Sequence, residues 1–319
     1  MDLELSDEVL DVAVAGDVST PKQSLGDRMK AYEAQNMLQV DTKLPWMVRL
    51  DGHKFSSFTR PFKRPFDDRI HNCMTAACKA LLVEFHPTLV YTCSDEITLV
   101  FPSFDSLTPV EPVDESGKKI EGERQEQVMM FGGRIQKIAT LMASLASVAF
   151  DRELRLQTFD ASTEQRLIDY IDAHPPYFDA RIFNVPTVVE IVSNLIWRSH
   201  YDYRRNSISQ YARSFYSPKE MHKLNSTQLM EKLEKEKGVK WEDLPGKYRF
   251  GSFFKRQTFT KTVEIKGETI QATRTRTVEM SFCFNKNTDS IRDFVMAKHL
   301  PAEFEPFVVV THDAESRRK

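Results

Sequence analysis

Two short sequence words in the first third of this 319-residue chain constrain its fold more than any other feature. The first, Arg49-Leu50-Asp51-Gly52-His53-Lys54-Phe55, closes an apolar run that begins at Trp46. The second, Tyr91-Thr92-Cys93-Ser94-Asp95-Glu96, leads into Ile97-Thr98-Leu99-Val100-Phe101. Each puts a carboxylate where an apolar, β-branched strand meets a turn. A sheet that pairs these strands brings Asp51 and Asp95 together, with Glu96 beside them. Close carboxylates repel unless a proton or a cation lies between them. With Lys and Arg nearby, the expected occupant is Mg²⁺, in a two-ion site, and the expected chemistry is phosphoryl or nucleotidyl transfer. Gly52 lets the backbone approach an ion, and a carbonyl there is a further oxygen ligand. An Asp-Gly turn or a Ser-Asp-Glu turn alone is commonplace, so the pairing carries the reading.

The elements around these words follow from periodicity and punctuation. Ser24 with Asp27 three residues on resembles a capping box that starts a helix. Phe66-Asp67-Asp68-Arg69 opens a helix to about Phe85, with Ile70, Met74, Ala77 and Leu81 at helical spacing, and Pro87 follows it. Leu89–Cys93 and Ile97–Phe101 read as strands joined by the acidic turn. Residues 102–127 carry three prolines, two glycines and many charges, as an exposed insertion would. Met129–Phe150 reads as a long helix, Phe178–Val185 as a strand and Val188–Tyr216 as a second long helix. Ser226–Lys237 is a short charged helix stopped by Gly238. Phe254–Ile265 and Thr269–Phe282 form a two-stranded ribbon turning at Gly267, and a last helix spans Ser290–His299. The order strand, helix, strand, strand, helix, strand over residues 46–186 predicts a mixed α/β (α+β) fold. It is a ferredoxin-like antiparallel sheet with helices on one face, shared by polymerase palms and nucleotidyl cyclases. An acidic tail (1–23) is expected before a palm-like unit (24–186). C-terminal helices and the ribbon (187–319) follow, as a region for binding RNA.

Cations complement the acids. Arg60, Lys63 and Arg64 crowd the loop before the first palm helix. Arg134 and Lys137, three apart beside Gly132-Gly133, share a helix face. With the acids these residues make a cradle for a triphosphate. Arg198, Arg204, Arg205 and Arg213 alternate with Trp197, Tyr201, Tyr203 and Tyr211, a mixture that suits RNA phosphates and unstacked bases and equally a salt-bridged helix. The ribbon adds Lys255, Arg256, Lys261, Arg274 and Arg276 among threonines. His53, beside Asp51, is placed to contact a nucleotide, whereas the remaining histidines have no ligand spacing.

Bulk composition narrows the classes. An apolar fraction of 41% with 28% charged residues fits a globular chain with a real core. The formal charge of −2 excludes a uniformly basic surface, so RNA contact must come from local patches. Cys73, Cys78, Cys93 and Cys283 show no paired spacing and read as reduced core residues. No apolar run is long enough to span a membrane. The acidic N-terminus, whose first basic residue is Lys22, is the wrong charge for a secretory or mitochondrial leader, so a cytoplasmic location is expected.

Taken in order, RLDGHKF, FKRPFDDRI, YTCSDEITLVF, GRIQKI, FDAR and NLIWR resemble the motifs of the tRNA-histidine guanylyltransferase family, over roughly residues 25–256. That family comprises reverse, 3′-to-5′ polymerases with a polymerase-like palm. The resemblance implies addition of nucleotides to the 5′ end of tRNA. The 5′ phosphate is activated with a nucleoside triphosphate, ATP or GTP, and the 3′ hydroxyl of an incoming nucleotide then attacks it. It further implies that Asp51, the Gly52 carbonyl and Asp95 bind two Mg²⁺ with Glu96 in support. His53, Lys54, Phe55, Ser56, Arg64 and Ser94 line the nucleotide site, and Arg134 and Lys137 hold triphosphate or the RNA 5′ end. It implies a homotetramer as well, and Arg198, Arg204, Arg205 and Asn206, on the basic and aromatic helix described above, are expected to contact tRNA. The family's His-Ile-Asn-Asn segment is here Arg204-Arg205-Asn206-Ser207. With MHKLNSTQLMEKLEKEKG and RFGSFFKR, this looks more like the guanylyltransferase-like branch that repairs truncated tRNA 5′ ends. A dedicated tRNA-His guanylyltransferase, a nucleotidyl cyclase and a catalytically silent tRNA-binding protein stand as alternatives.

Overall fold

The computed structural model describes residues 24–35, 37–104, 129–265 and 268–300. The acidic tail, most of the 102–127 insertion and the turn at Gly267 lie outside the described residues.

The sheet grows from the two words. β1 (Trp46–Gly52), β2 (Leu89–Cys93), β3 (Glu96–Phe101) and β4 (Phe178–Asn184) are joined by the ribbon strands β5 (Ser252–Ile265) and β6 (Glu268–Met280) and by the short β7 (His299–Leu300). The order is β4-β1-β3-β2-β5-β6, antiparallel throughout, with β7 pairing parallel to β5. The ribbon thus extends the same sheet that holds the acids, through pairing of Tyr91 with Phe253. β2 is buried along its whole length and β3 everywhere but its first residue. Strands so apolar on both faces need cover on both.

The helices supply that cover. They are α1 (Leu25–Ala34), the single turn α2 (Phe55–Phe58), α3 (Asp68–Phe85), α4 (Ile135–Leu156), α5 (Ala161–Ala173), α6 (Val188–Ile196), α7 (Arg204–Ala212), α8 (Pro218–Met221), α9 (Ser226–Lys237), α10 (Gly246–Phe250) and α11 (Asp289–Met296). α3 and α4 share one face, as expected of a palm, where Leu81, Met142 and Phe150 pack on Val48, Leu50 and Leu99. α6 and α11 cover the opposite face, where Leu195, Ile291 and Phe294 pack on Met47, Tyr91 and Val100. A third cluster joins α7, α9 and α10 around Leu233, Trp241 and Phe250.

Local differences from the sequence expectation have local causes. The long helix begins at Ile135 and not at Met129, because Phe131, Gly132 and Gly133 hold positive φ and break the chain there. The helix expected over 188–216 is interrupted by a π-helical turn at Trp197–Tyr203. α2 and α5 are helices beyond those expected from the sequence. The Ser24 cap forms as expected, its hydroxyl accepting from the Asp27 amide at 3.1 Å. Among the described residues no helix is long and apolar enough to cross a membrane. The cysteines are free, and Cys73, Cys78 and Cys93 are buried.

Candidate active site

Antiparallel register places Asp51 of β1 opposite Glu96 of β3 on one side and Asp179 of β4 on the other. Residues directly paired across strands point to the same face, so these three acids converge. Ser94 takes φ of 53°, which turns the chain tightly between β2 and β3. The Gly52 amide donates to the Asp95 carbonyl at 3.0 Å, tying the two words together. Gly52 is required sterically: a Cβ there would stand 2.4 Å from the Phe55 ring. That ring is 2% exposed, packs against Phe150 and Phe178, and anchors α2 directly behind the acids.

Arginines hold the acids in place. Arg49 bonds Asp51 at 2.9 Å and lies 3.8 Å from Glu96. Arg198 pairs with Glu96 at 2.6 Å and with Asp202 at 3.0 Å, and Asp202 pairs with Arg205 at 2.7 Å. Burial raises the Asp95 carboxyl above the ordinary range, the Ser94 hydroxyl opposes it and Asp51 adds to it. Burial also raises Glu96, against Arg198 and Arg49. Carboxyls held above their usual values by desolvation favour a bound cation. The Asp51 and Asp95 carboxylates and the Gly52 carbonyl are hard oxygen donors that suit Mg²⁺. Among the described residues no group of three or more His, Cys, Asp or Glu side chains is arranged to hold a metal by itself. Two carboxylates and a carbonyl would leave other positions to water and substrate phosphate, as is common for Mg²⁺ in phosphoryl-transfer sites.

A cleft of about 800 Å³ opens at the Asp95 turn. Ser56, Arg64, Ser94, Asp95 and Asn206 line it, with Phe55 in its wall, so expected nucleotide and RNA residues meet in one space. Lys63, Arg213, Lys247 and Tyr248 also line it. Tyr248 stacks on Phe66 at 4.4 Å, and its hydroxyl bonds Asp68 at 2.6 Å. His53 and Lys54 stand exposed beside Asp51, with His53 stacked on Tyr177 at 4.9 Å.

Other expected residues lie elsewhere. Arg134 and Lys137 are not brought to the acids of their own chain. Ile135 bonds Leu38 and Gly133 bonds Val40, ahead of the first residue of β1, whereas Asp51 is near the last. Ser147, roughly 20 Å further along α4, is the residue that reaches the acid end, through the Phe178 amide. Arg198, expected on an RNA-facing surface, is buried, with 7% of its side chain exposed, against Glu96. Arg204 is half-buried over Trp241, and Arg205 is exposed. Lys255 of the ribbon is buried, its ammonium enclosed by backbone carbonyls. Arg49 was legible as a partner of Asp51 from spacing, because two residues apart on a strand share a face.

A profile of the family described as tRNAHis guanylyltransferase matches residues 26–186, half of the chain. The chain belongs to the tRNA(His) guanylyltransferase family. It is accordingly a nucleotidyltransferase of the tRNA-processing kind. It is 32% identical over 252 residues to an uncharacterised protein of Acanthamoeba polyphaga mimivirus, covering 78% of this chain and 82% of that one. A bacterial tRNA(His) guanylyltransferase-like protein solved in complex with ATP superposes with a TM-score of 0.64 at 27% identity, covering 85% of this chain and 99% of that one. A bacterial guanylyltransferase-like protein in complex with GTP superposes at 0.60 with 26% identity, covering 86% and 99%.

Proposed function

We propose that this guanylyltransferase relative is a Mg²⁺-dependent 3′-to-5′ nucleotidyltransferase that repairs shortened tRNA 5′ ends against the opposing strand. The observation that carries this reading is the pairing of Asp51 with Glu96 next to Asp95, which itself lines a cleft with Lys63, Arg64 and Arg213. Asp51, Asp95 and the Gly52 carbonyl would hold the metal. Bound there, Mg²⁺ neutralises phosphate charge and lowers the pKa of an attacking hydroxyl. Lys63, Arg64 and Arg213 place cations along a triphosphate in the cleft, and Ser56, Ser94 and Asn206 offer hydrogen bonds to ribose or base. Two structural neighbours were solved with ATP and with GTP, which supports both triphosphates as substrates. Arg204-Arg205-Asn206-Ser207, in place of the His-Ile-Asn-Asn segment of the tRNA-His enzymes, supports repair over dedicated guanylation of one tRNA.

A homotetramer in the cytoplasm belongs to the same reading. α1 buries none of its residues, yet Leu25, Met29 and Tyr32 repeat along one side of it, each at least 40% exposed. An apolar helical stripe left open in one chain supports its burial by another copy.

The test supplies purified protein, Mg²⁺ and each labelled triphosphate with either full-length tRNA-His or a 5′-truncated tRNA of another specificity. Incorporation is expected into the truncated RNA, directed by the opposing base, and is abolished in Asp51→Ala and Asp95→Ala. Incorporation confined to tRNA-His would favour the dedicated enzyme. Cyclic nucleotide formed without RNA, or full activity in either variant, would overturn the proposal.

A further inference from the structure

The single-turn helix α2 is a partition between two clefts. Ser56 and Thr59 face the cleft at the acids, while Ser57, with Arg60 and Pro61 just beyond, faces a second cleft of about 640 Å³. The far wall of the second cleft is α5, through Arg166 and Tyr170. The Tyr170 hydroxyl donates to the Ser57 carbonyl at 3.3 Å and fixes one wall to the other. Its ring stacks on exposed His174, with centroids 4.2 Å apart and planes 19° from parallel.

Charge in this cleft is unbalanced. Glu164, the carboxylate in its lining, is taken by Arg69 at 2.9 Å. Arg60 and Arg166 are both exposed, and neither forms an ion pair among the described residues. Two open guanidinium groups beside a half-buried tyrosine stacked on an exposed histidine are suited to a phosphate chain carrying an unstacked base. The reaction requires two substrates to meet at the acids together. With a triphosphate placed in the first cleft, as proposed above, the cleft on the other side of α2 is the one left for the polynucleotide.

We infer that the second cleft binds the unpaired, single-stranded end of the RNA substrate, with Arg60 and Arg166 on its phosphates and the Tyr170–His174 stack against a base. This rests on the RNA-directed activity proposed above and adds a site to it. Holding the unpaired opposing strand beside α2 leaves the 5′ phosphate of the paired strand to meet Asp51 from the flank opposite the nucleotide.

Filter binding of 5′-truncated tRNA without triphosphate tests the site directly, using wild type, Arg60→Glu, Arg166→Glu, the double variant and His174→Ala. Each reversal is expected to weaken binding several-fold and the pair at least about tenfold. The slope of log affinity against log salt should flatten by about 0.7 for each single-strand phosphate that no longer meets an arginine. Half-saturation by GTP and ATP should stay unchanged in Arg166→Glu and His174→Ala, and 5-iodouridine in the unpaired end should crosslink to α5. Wild-type RNA affinity in the double variant would overturn the assignment. So would raised triphosphate half-saturation with RNA binding intact, which would mark a second nucleotide pocket. Asp51→Ala, assayed in parallel, separates the two readings. Its loss of incorporation with RNA binding retained upholds the catalytic reading whatever the cleft variants do. Full incorporation by Asp51→Ala would sink the catalytic reading while the binding data still judge the cleft.

Discussion

The Glu96 carboxylate and the Arg198 guanidinium lie 2.6 Å apart, joining the first residue of β3 to the π-helical turn that follows α6. π-turns are uncommon and concentrate at functional positions. Here the turn carries Arg198 and Asp202 on its buried side, with Asp202 in turn reaching the exposed Arg205. A charge chain therefore runs from the acid site to the surface. Its inner member, Arg198, holds Glu96 of the proposed acid site, which makes Arg198 a positioning residue in that proposal.

Replacing Arg198 by Met should lower nucleotide incorporation at least tenfold and leave tRNA affinity within about twofold. Removing one partner of a buried pair strands the other charge and costs about 3–5 kcal/mol, so the melting temperature should fall as well. Arg198→Lys, which keeps a cation near Glu96, should recover part of both. A selective loss of RNA binding in Arg198→Met, with turnover preserved, would show that this arginine contacts RNA directly.

Gly52→Ala tests the steric argument at the acid turn. Its methyl would sit 2.4 Å from the Phe55 ring, which is wedged between Phe150 and Phe178 and has nowhere to move. Overpacking of this kind costs typically about 1–3 kcal/mol. Because α2 forms a wall of the cleft proposed to hold nucleotide, half-saturation by GTP should rise as well. Steady-state kinetics beside urea denaturation would separate the two effects.

Much of this arrangement is legible in sequence because its signals are local. Asp51 and Asp95 announce themselves as acids at strand ends, and the helix over 68–85 shows its spacing and its Asp67 cap. α5 carries the same kinds of signal, an Asp160 cap and an apolar stripe through Leu167 and Ile171, but the stripe is short and is flanked by charge, so it stands out less. The role of Arg198 is hidden for a different reason. Its partner is Glu96, distant in sequence, and Arg among aromatics reads equally as an RNA surface. Arg134 and Lys137 show the converse error. Their spacing is right, but direction along the 22-residue α4 puts them at the far end of the sheet from Asp51.

Lys255 offers a prediction about the C-terminal cover. Its Nζ lies 2.7 Å from the Phe294 and Ala297 carbonyls, 2.8 Å from that of Thr88 and 3.3 Å from that of Val295. It thereby caps the last turn of α11 and pins that helix to the sheet. Burial pushes the ammonium down to about 7, while the surrounding carbonyls favour the charged form. Lys255→Met fills the space but leaves those acceptors without a donor, at a cost of about 2–4 kcal/mol. Hydrogen exchange should show α11 opening before the core under α3 and α4. Uniform protection across both would place the cap's contribution elsewhere.

Asp67 ties the cleft to acid stability. Its carboxylate caps α3 at the Arg69 amide, accepts from the Lys63 amide and pairs with the Arg69 guanidinium at 2.8 Å. Burial alone would raise this carboxyl, but the Arg69 and backbone hydrogen bonds outweigh it and hold it below the ordinary value of 3.8. A carboxyl depressed in the folded state stabilises fully above its unfolded value, and the contribution disappears as pH falls through the folded one. Asp67→Ala should therefore cost about 1–3 kcal/mol at neutral pH, from a lost cap and an unpaired Arg69. The gap from wild type should hold down to about pH 4 and close below it. Urea titrations at pH 7, 5 and 3 would check this, and a gap that widened toward pH 3 would refute it.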